Sequence, residues 1–259
     1  MSEQLQIRNL TKQFGGIDAL KDISLEVETK TIVSIIGPNG AGKTTLFNLV
    51  TGFYTPDHGS ILLDGREIRG LAPHEVARAG ITRTFQNIRL FPWMTVQDNI
   101  IVARQLKCSG GLLKVCIRTP LIKREEKETL EKVGEIMAFF QLREKRNYQA
   151  KNLPYGEQRK LEMARALAAE PKILLLDEPT AGMNPAESKE CVEIIYQINE
   201  TLNITIMLIE HNMNVVMGIS DKIFVLDHGM KIAEGHPEEI QNNQDVIKAY
   251  LGENYVTHA

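Results

Sequence analysis

The spacing of apolar positions changes several times along the chain, and the changes mark out the predicted elements. Up to residue 36 these positions fall in short runs, LQIRNL, ISLEVE and TIVSII, parted by turns at 14–16 (FGG) and 28–30 (ETK). Short runs bounded by polar or glycine-bearing turns predict β-strands. TIVSII is mostly apolar instead of alternating, which predicts a strand covered on both faces of its sheet. GPNGAGKTTLFNLVTG then passes from a glycine-rich loop into helical spacing that stops at Gly52. GSILLDGREI is β-like again, with a turn at Asp64–Gly65.

From about residue 100 to 170 charge rises and β-branched residues thin out. KREEKETLEKVGEIMAFFQL puts Leu130, Val133, Ile136, Met137 and Phe140 on one helical stripe, and CSGGLLKVCIRTP before it reads as a loop or short helix. Residues 157–169 predict another helix, stopped by Pro171. KILLLDEP follows as a buried strand, AESKECVEIIYQINE as a helix, ITIMLIE as a strand and KIFVLDHGMKIAEG as a hairpin-like pair. EEIQNNQDVIKAYLG is expected as one closing helix. The order is α/β, an inserted helical block, then α/β again. Without repeats, low-complexity tracts or a linker-like boundary, residues 1–259 are expected to form one domain, α/β over 1–99 and 171–259 and helical over 100–170.

Composition narrows the classes. At 43% hydrophobic and 24% charged the chain is ordinary globular material, and a net charge of −3 gives no whole-surface attraction for nucleic acid or anionic lipid. Cys108, Cys116 and Cys191 match neither a disulfide framework nor a CxxC metal site, so reduced thiols are expected. MSEQLQIRNL lacks a signal-peptide pattern, and no apolar run approaches the ~20 residues that span a bilayer. A soluble chain is expected, any membrane role coming through partners.

The chemistry begins at Gly37-Pro38-Asn39-Gly40-Ala41-Gly42-Lys43-Thr44, which fits G-x-x-x-x-G-K-[ST] between a predicted strand and a predicted helix. Glycines let successive N–H groups turn inward around phosphate oxygens, and the helix N-terminus adds a positive dipole end. Lys43 can reach the β- and γ-phosphates, Thr44 can ligate Mg²⁺, and Thr45 completes the run. In ILLLDE the acids stand where a buried strand emerges. Asp177 fits a direct or outer-shell Mg²⁺ role and Glu178 a general base on the attacking water.

Around this loop the chain resembles ABC-type ATPases along nearly all of its length. Phe14 stands where that family has an aromatic on adenine, and Gln86, in RTFQNIRLF, where it has a glutamine sensing Mg²⁺ and the attacking water. Leu153-Pro154-Tyr155-Gly156-Glu157, before QRKLEMARAL, occupies the place of the family's signature, and His211, in LIEHNM, that of its switch histidine. The resemblance implies a P-loop NTPase (RecA-like) core with an N-terminal antiparallel β region and an inserted α-helical subdomain. It also implies ATP and Mg²⁺ as cofactors, Thr44, Gln86 and Asp177 about the metal, and Glu178, His211 and Gln86 in catalysis. In the family the signature faces ATP held by a second subunit, so two ATPs join two chains.

Two positions depart from the family pattern. The signature reads Leu-Pro-Tyr-Gly-Glu instead of Leu-Ser-Gly-Gly-Gln, and Asn184 ends the loop after the acidic strand where Asp is usual. Both changes favour a heterodimer with a related ATPase, its two sites unequal. The signature region, GGLLKVCIRTP and EEIQNNQDVIKAYLGE resemble the ATP-binding subunits of branched-chain amino-acid importers. That likeness implies two membrane permease subunits, an external substrate-binding protein and a place on the cytoplasmic face of the inner membrane, with no nucleic-acid partner. Alternative readings are an exporter ATPase of the envelope-lipid type and a soluble ABC ATPase of translation or DNA maintenance. The latter lacks support from a second phosphate loop, sustained heptads or a basic stripe. Finally, Ile88, Leu90, Phe91, Trp93, Met94 and Val96 form an apolar cluster that either docks a permease helix or packs beneath the helical block.

Overall fold

The computed structural model describes residues 3–105 and 120–251; Cys108, Cys116 and the predicted loop or short helix ahead of Pro120 lie outside them. Strands β1 (Glu3–Phe14) and β2 (Ile17–Glu28) pair antiparallel, and β1 also pairs with β4 (His58–Leu63), which pairs with β5 (Arg66–Glu67), giving the order β2-β1-β4-β5. Leu5, Ile7, Leu10, Leu20, Ile23, Leu25 and Val27 are buried along the hairpin. Both strands outrun the apolar runs that predicted them. Their polar extensions still pair, with Gln13 opposite Asp18 and Phe14 opposite Ile17, and apart from Leu20 bury little side chain.

The second sheet has the order β6-β7-β8-β3-β9-β10, from β6 (Ile81–Arg83), β7 (Ile173–Asp177), β8 (Thr205–Ile209), β3 (Ile32–Ile36), β9 (Lys222–Asp227) and β10 (Met230–Gly235). Its neighbours run parallel except β9 and β10. Every residue of β3, β7 and β8 is buried, as continuous apolar runs require when both faces are covered. The β9–β10 hairpin turns at His228 and Gly229, both with positive φ (45° and 75°), the primed-turn geometry that suits strand twist.

One core cluster lies between the two sheets with helix α1 (Lys43–Val50) and reaches helix α2 (Pro73–Ala79) through Val76. Another joins Leu174, Leu176, Ile206 and Leu208 of the sheet's other face to four helices: α3 (Val96–Arg104), α4 (Pro120–Phe139), α5 (Tyr155–Ala168) and α6 (Pro185–Leu202). The helical block therefore shares its core with the sheet. Helices α7 (Met213–Ile219), α8 (Pro237–Gln241) and α9 (Gln244–Leu251) complete the described chain.

Three expectations are corrected. Leu130, placed on the apolar stripe of α4, is exposed, whereas Val133, Met137 and Phe140 are buried. The stretch from 124 to 132 carries the ion pairs Arg124–Glu128 and Lys127–Glu131, and among the described residues those of the helix that seat in the core lie in its C-terminal half. The expected single closing helix is two. Asn243 accepts from the backbone N–H groups of Asp245 (2.9 Å) and Val246 (3.2 Å), capping a fresh start after Gln241. The helix expected over 157–169 begins two residues earlier, at Tyr155.

Candidate functional site

The parallel strands β3, β7 and β8 end side by side, and their carboxyl ends carry the polar groups, where open parallel sheets place ligand sites. From β3 the chain enters residues 37–42 and then α1. Gly42 caps α1 at φ 100°, and a Cβ there would lie 2.5 Å from Leu20 Cδ2 and 2.7 Å from the Ala19 carbonyl oxygen. At Gly37 a Cβ would fall 2.0 Å from the Leu226 carbonyl oxygen. Only glycine fits either place. Pro38, Asn39, Gly40 and Ala41 lie between these two glycines. Lys43 is buried and donates from Nζ to the carbonyls of Gly37 (2.7 Å) and Pro38 (2.9 Å). Burial lowers its pKa from the usual lysine value, and the carboxylates of Glu178 and Asp177 partly counter this.

A cleft of about 300 Å³ opens beside the loop, lined by Thr44, Asn48, Arg83, Gln86 and Asp177 among others. Thr45 sits one residue further along α1 and is half-buried. Asp177, at the end of β7, meets Arg83 at 2.6 Å with both side chains buried, and Arg83 also donates to Asn48 Oδ1 (2.6 Å). Glu178 follows with φ 48°, a left-handed conformation uncommon for a residue with a side chain, and donates its backbone N–H to the Ile209 carbonyl (2.9 Å). Its carboxylate is held at both oxygens: Gln86 Nε2 donates to Oε2 (2.9 Å), and His211 Nε2 lies 2.9 Å from Oε1. Two residues far apart in sequence thus converge on the carboxylate of a third.

The signature residues open α5. Leu153 is buried, Pro154 takes the N-cap position, and Tyr155, Gly156 and Glu157 form the first turn. Their N–H groups have no intrahelical partner, so that end suits an anion. Glu157 pairs with Lys145. Asn184 caps α6 by accepting from the N–H groups of Ala186 and Glu187 (3.0 Å each), the same bonds an Asp would accept. Phe14 lies at the end of β1, 43% exposed, edge-on to Tyr54 at 5.2 Å and away from the Glu178 cluster's direct contacts.

Sequence reasoning missed four buried charges here: Arg83, Arg159, Glu162 and Glu210. The available signal was an ionisable residue inside an apolar stretch, as in ITRTF and KLEMA. Burial pushes Glu162 up from the ordinary carboxylate range, against the N–H groups of Arg89 and Phe85 and the Arg159 charge. The apolar cluster after Gln86 is split: Val96 is in the core and Leu90 packs against it, while Trp93 is 71% exposed under Lys151 Nζ, 3.2 Å from its ring centroid.

Comparison with known proteins agrees with this geometry. The family model described as ABC transporter matches residues 20–181, and that of the branched-chain amino acid ATP-binding cassette transporter matches 230–256. The chain is 49% identical over 249 residues to the high-affinity branched-chain amino acid transport ATP-binding protein LivG of Salmonella typhimurium, covering 96% of this chain and 98% of that one. The corresponding protein BraF of Pseudomonas aeruginosa is 48% identical with the same coverage. Among solved structures, the ADP conformation of MJ1267, an ATP-binding cassette of an ABC transporter, matches with a TM-score of 0.84 and 32% identity, over 98% of this chain and 100% of that one. The fold is accordingly that of an ATP-binding cassette, a P-loop NTPase that binds nucleotide and hydrolyses ATP. The chain belongs to the ABC transporter family, in its LivG-type group of ATP-binding proteins.

Proposed function

We propose that the chain energises a membrane importer of branched-chain amino acids from the cytoplasmic face of the inner membrane. Two permease subunits, an external substrate-binding protein and a second, related ATPase complete the proposed assembly. The observation that carries the reading is the Glu178 carboxylate, held by Gln86 and His211 beside the phosphate loop. Support for the solute comes from the names of the relatives. Among the described residues no helix is long and apolar enough to cross a membrane, so the reading assigns membrane contact to partners.

In this reading the residues 37–45 wrap the triphosphate with backbone N–H groups, and Lys43 leaves its loop carbonyls for phosphate oxygens. Phe14 supports the adenine. Thr44, Gln86 and Asp177 line one cleft and offer only hard oxygen ligands, a set that suits Mg²⁺ completed by phosphates and water. Asp177, paired with Arg83, would act on that ion through water. The ion, when bound, neutralises charge on the phosphates. Glu178 takes the proton of the attacking water, Gln86 orients that water, and His211 fixes the carboxylate. The signature, 153–157, serves the ATP of the partner ATPase across the dimer. A division into an α/β part and a helical part (100–170) would let nucleotide binding move one against the other, since ATP favours the closed state.

Asn184 retains the cap an Asp would make, so the case for a heterodimer rests on Pro154 and Tyr155. Trp93, with Phe91, is the proposed docking point for a permease helix. The decisive experiment purifies the chain with its membrane partners into liposomes and measures ATP-driven leucine uptake. Uptake that Lys43→Ala abolishes is expected. Partners that drive lipid efflux instead would replace import by export, and ribosome or DNA association without permeases would end the transport reading.

A further inference from the structure

We propose that Tyr155, Arg159 and Glu162 form a positioning clasp that sets Gln86 against Glu178, so that the first two turns of the signature helix fix the geometry around the base. This inference rests on the ATPase reading above. Arg159 and Glu162 are 2% and 1% exposed and pair at 3.2 Å. A buried ion pair survives only when its remaining donors and acceptors are satisfied. Here they are satisfied by the main chain of residues 85–89. Arg159 donates to the carbonyls of Phe85 (2.6 Å) and Gln86, and Glu162 accepts from the N–H groups of Arg89 (3.1 Å) and Phe85 (3.4 Å).

Two consecutive carbonyls held by one planar guanidinium fix the peptide between them, and with it the direction in which the Gln86 side chain leaves. Gln86 is itself exposed, so little else holds it. Its amide then donates to Glu178 (2.9 Å). Tyr155 closes the circuit. Its hydroxyl accepts from Arg159 Nε (3.3 Å) and Nη2 (3.1 Å) and donates to the Ala181 carbonyl (2.9 Å), three residues after Glu178. The Ala181 N–H donates back to the Glu178 carbonyl (3.2 Å). A glycine at 155 would have no hydroxyl to make this link. The departure from the usual signature therefore carries a role within its own chain.

The test is a double-mutant cycle of Tyr155→Phe and Gln86→Ala, in the full chain within its purified complex, reading steady-state ATP hydrolysis and thermal midpoint. Tyr155→Phe keeps the ring and removes only the hydroxyl. It should lower kcat by about 3- to 10-fold with KM for ATP unchanged, and by less than about 1.5-fold once Gln86 is Ala, because interacting residues are non-additive. Arg159→Lys, keeping charge without the fork, should lower kcat at least as far, with the same dependence on Gln86. An equal fractional loss in both backgrounds, as an effect on the partner's ATP would give, overturns the proposal. So does an unchanged kcat in Tyr155→Phe or in Gln86→Ala. A Lys43→Ala control separates the two levels: if it hydrolyses ATP like the native chain, the ATPase reading of this site fails, whatever Tyr155 does.

Discussion

Glu210 allows a magnitude to be worked from its surroundings. It follows β8 directly, is 3% exposed, and accepts from the Thr180 hydroxyl and the His211 N–H (3.2 Å). Burial raises its pKa from 4.5 to about 7, with the Glu178 charge adding to the rise and hydrogen bonds from the His211 and Thr180 backbone and the Arg159 charge opposing it. The folded chain therefore keeps this proton to higher pH than the unfolded chain. Between the two values unfolding releases a proton, so stability is highest at the acid end and falls as pH rises. At about 1.36 kcal/mol per unit, the full span is about 3 kcal/mol, and about 2.5 kcal/mol of it falls between pH 5 and 8.

Glu210→Gln cannot ionise. It reorients one hydrogen bond, an offset that is the same at every pH, so the informative quantity is how the difference from the native chain changes with pH. Urea unfolding of both chains from pH 5 to 8 should show the variant gaining about 2.5 kcal/mol on the native protein, most of it between pH 5 and 7. In thermal scans this is roughly 5–10 °C for a chain of this size. Parallel pH curves would refute the reasoning, since they would mean that Glu210 has the same pKa folded and unfolded. A difference growing toward acid would reverse its sign and require an ionised, paired Glu210 in the native state.

Three further outcomes follow from the same geometry. Glu178→Gln should keep ATP binding and lose about 10²- to 10⁴-fold in kcat, read by single-turnover hydrolysis, because the amide cannot take a proton. Arg83→Met leaves Asp177 buried beside no guanidinium and should destabilise the chain by about 3–5 kcal/mol in urea unfolding, largely recovered when Asp177→Asn is added. Trp93→Ala, at an exposed ring, should change stability by no more than about 0.5 kcal/mol and leave hydrolysis by the isolated chain intact, while ATP-driven uptake by the reconstituted transporter falls.

How much of this was legible in the sequence depended on how local each feature is. The phosphate loop is a run of neighbours, and its glycines answer to contacts with Leu20 and Leu226 that the motif already encodes. Strands β3, β7 and β8 were legible because full burial leaves an unbroken apolar run. Gln86 and Glu178, 92 residues apart, are joined by parallel strand order, which periodicity does not report; family resemblance alone pointed to the pair. Leu130 was misplaced because spacing gives the face of a helix but not how far along it the core extends. The break at Asn242–Asn243 was missed because a cap competes with helix continuation through a side-chain bond that hydrophobic spacing does not register. Arg159 and Glu162 went unmarked because their partners, the main chain of 85–89, are distant in sequence, and helical spacing does not report them.

That last group bears on why, in the proposed reading, one acid among several would be the better base. Asp177, Glu178, Glu162 and Glu210 are drawn together around the carboxyl ends of β7 and β8, and left alone they would repel. Each has a different neighbour. Asp177 is paired with Arg83 and Glu162 with Arg159, so carboxylate oxygens of each are already taken up by a guanidinium. Glu210 has a hydroxyl and a backbone N–H, but its burial keeps water away. Glu178 alone of the four is held by the uncharged amide of Gln86 and by an imidazole, and its side chain stays 17% exposed. It is therefore the one with both spare lone pairs and access to water. A base must combine those properties with a fixed direction, and Gln86 and His211 supply that direction. In that reading the guanidinium pairs beside it would hold the neighbouring acids out of the reaction.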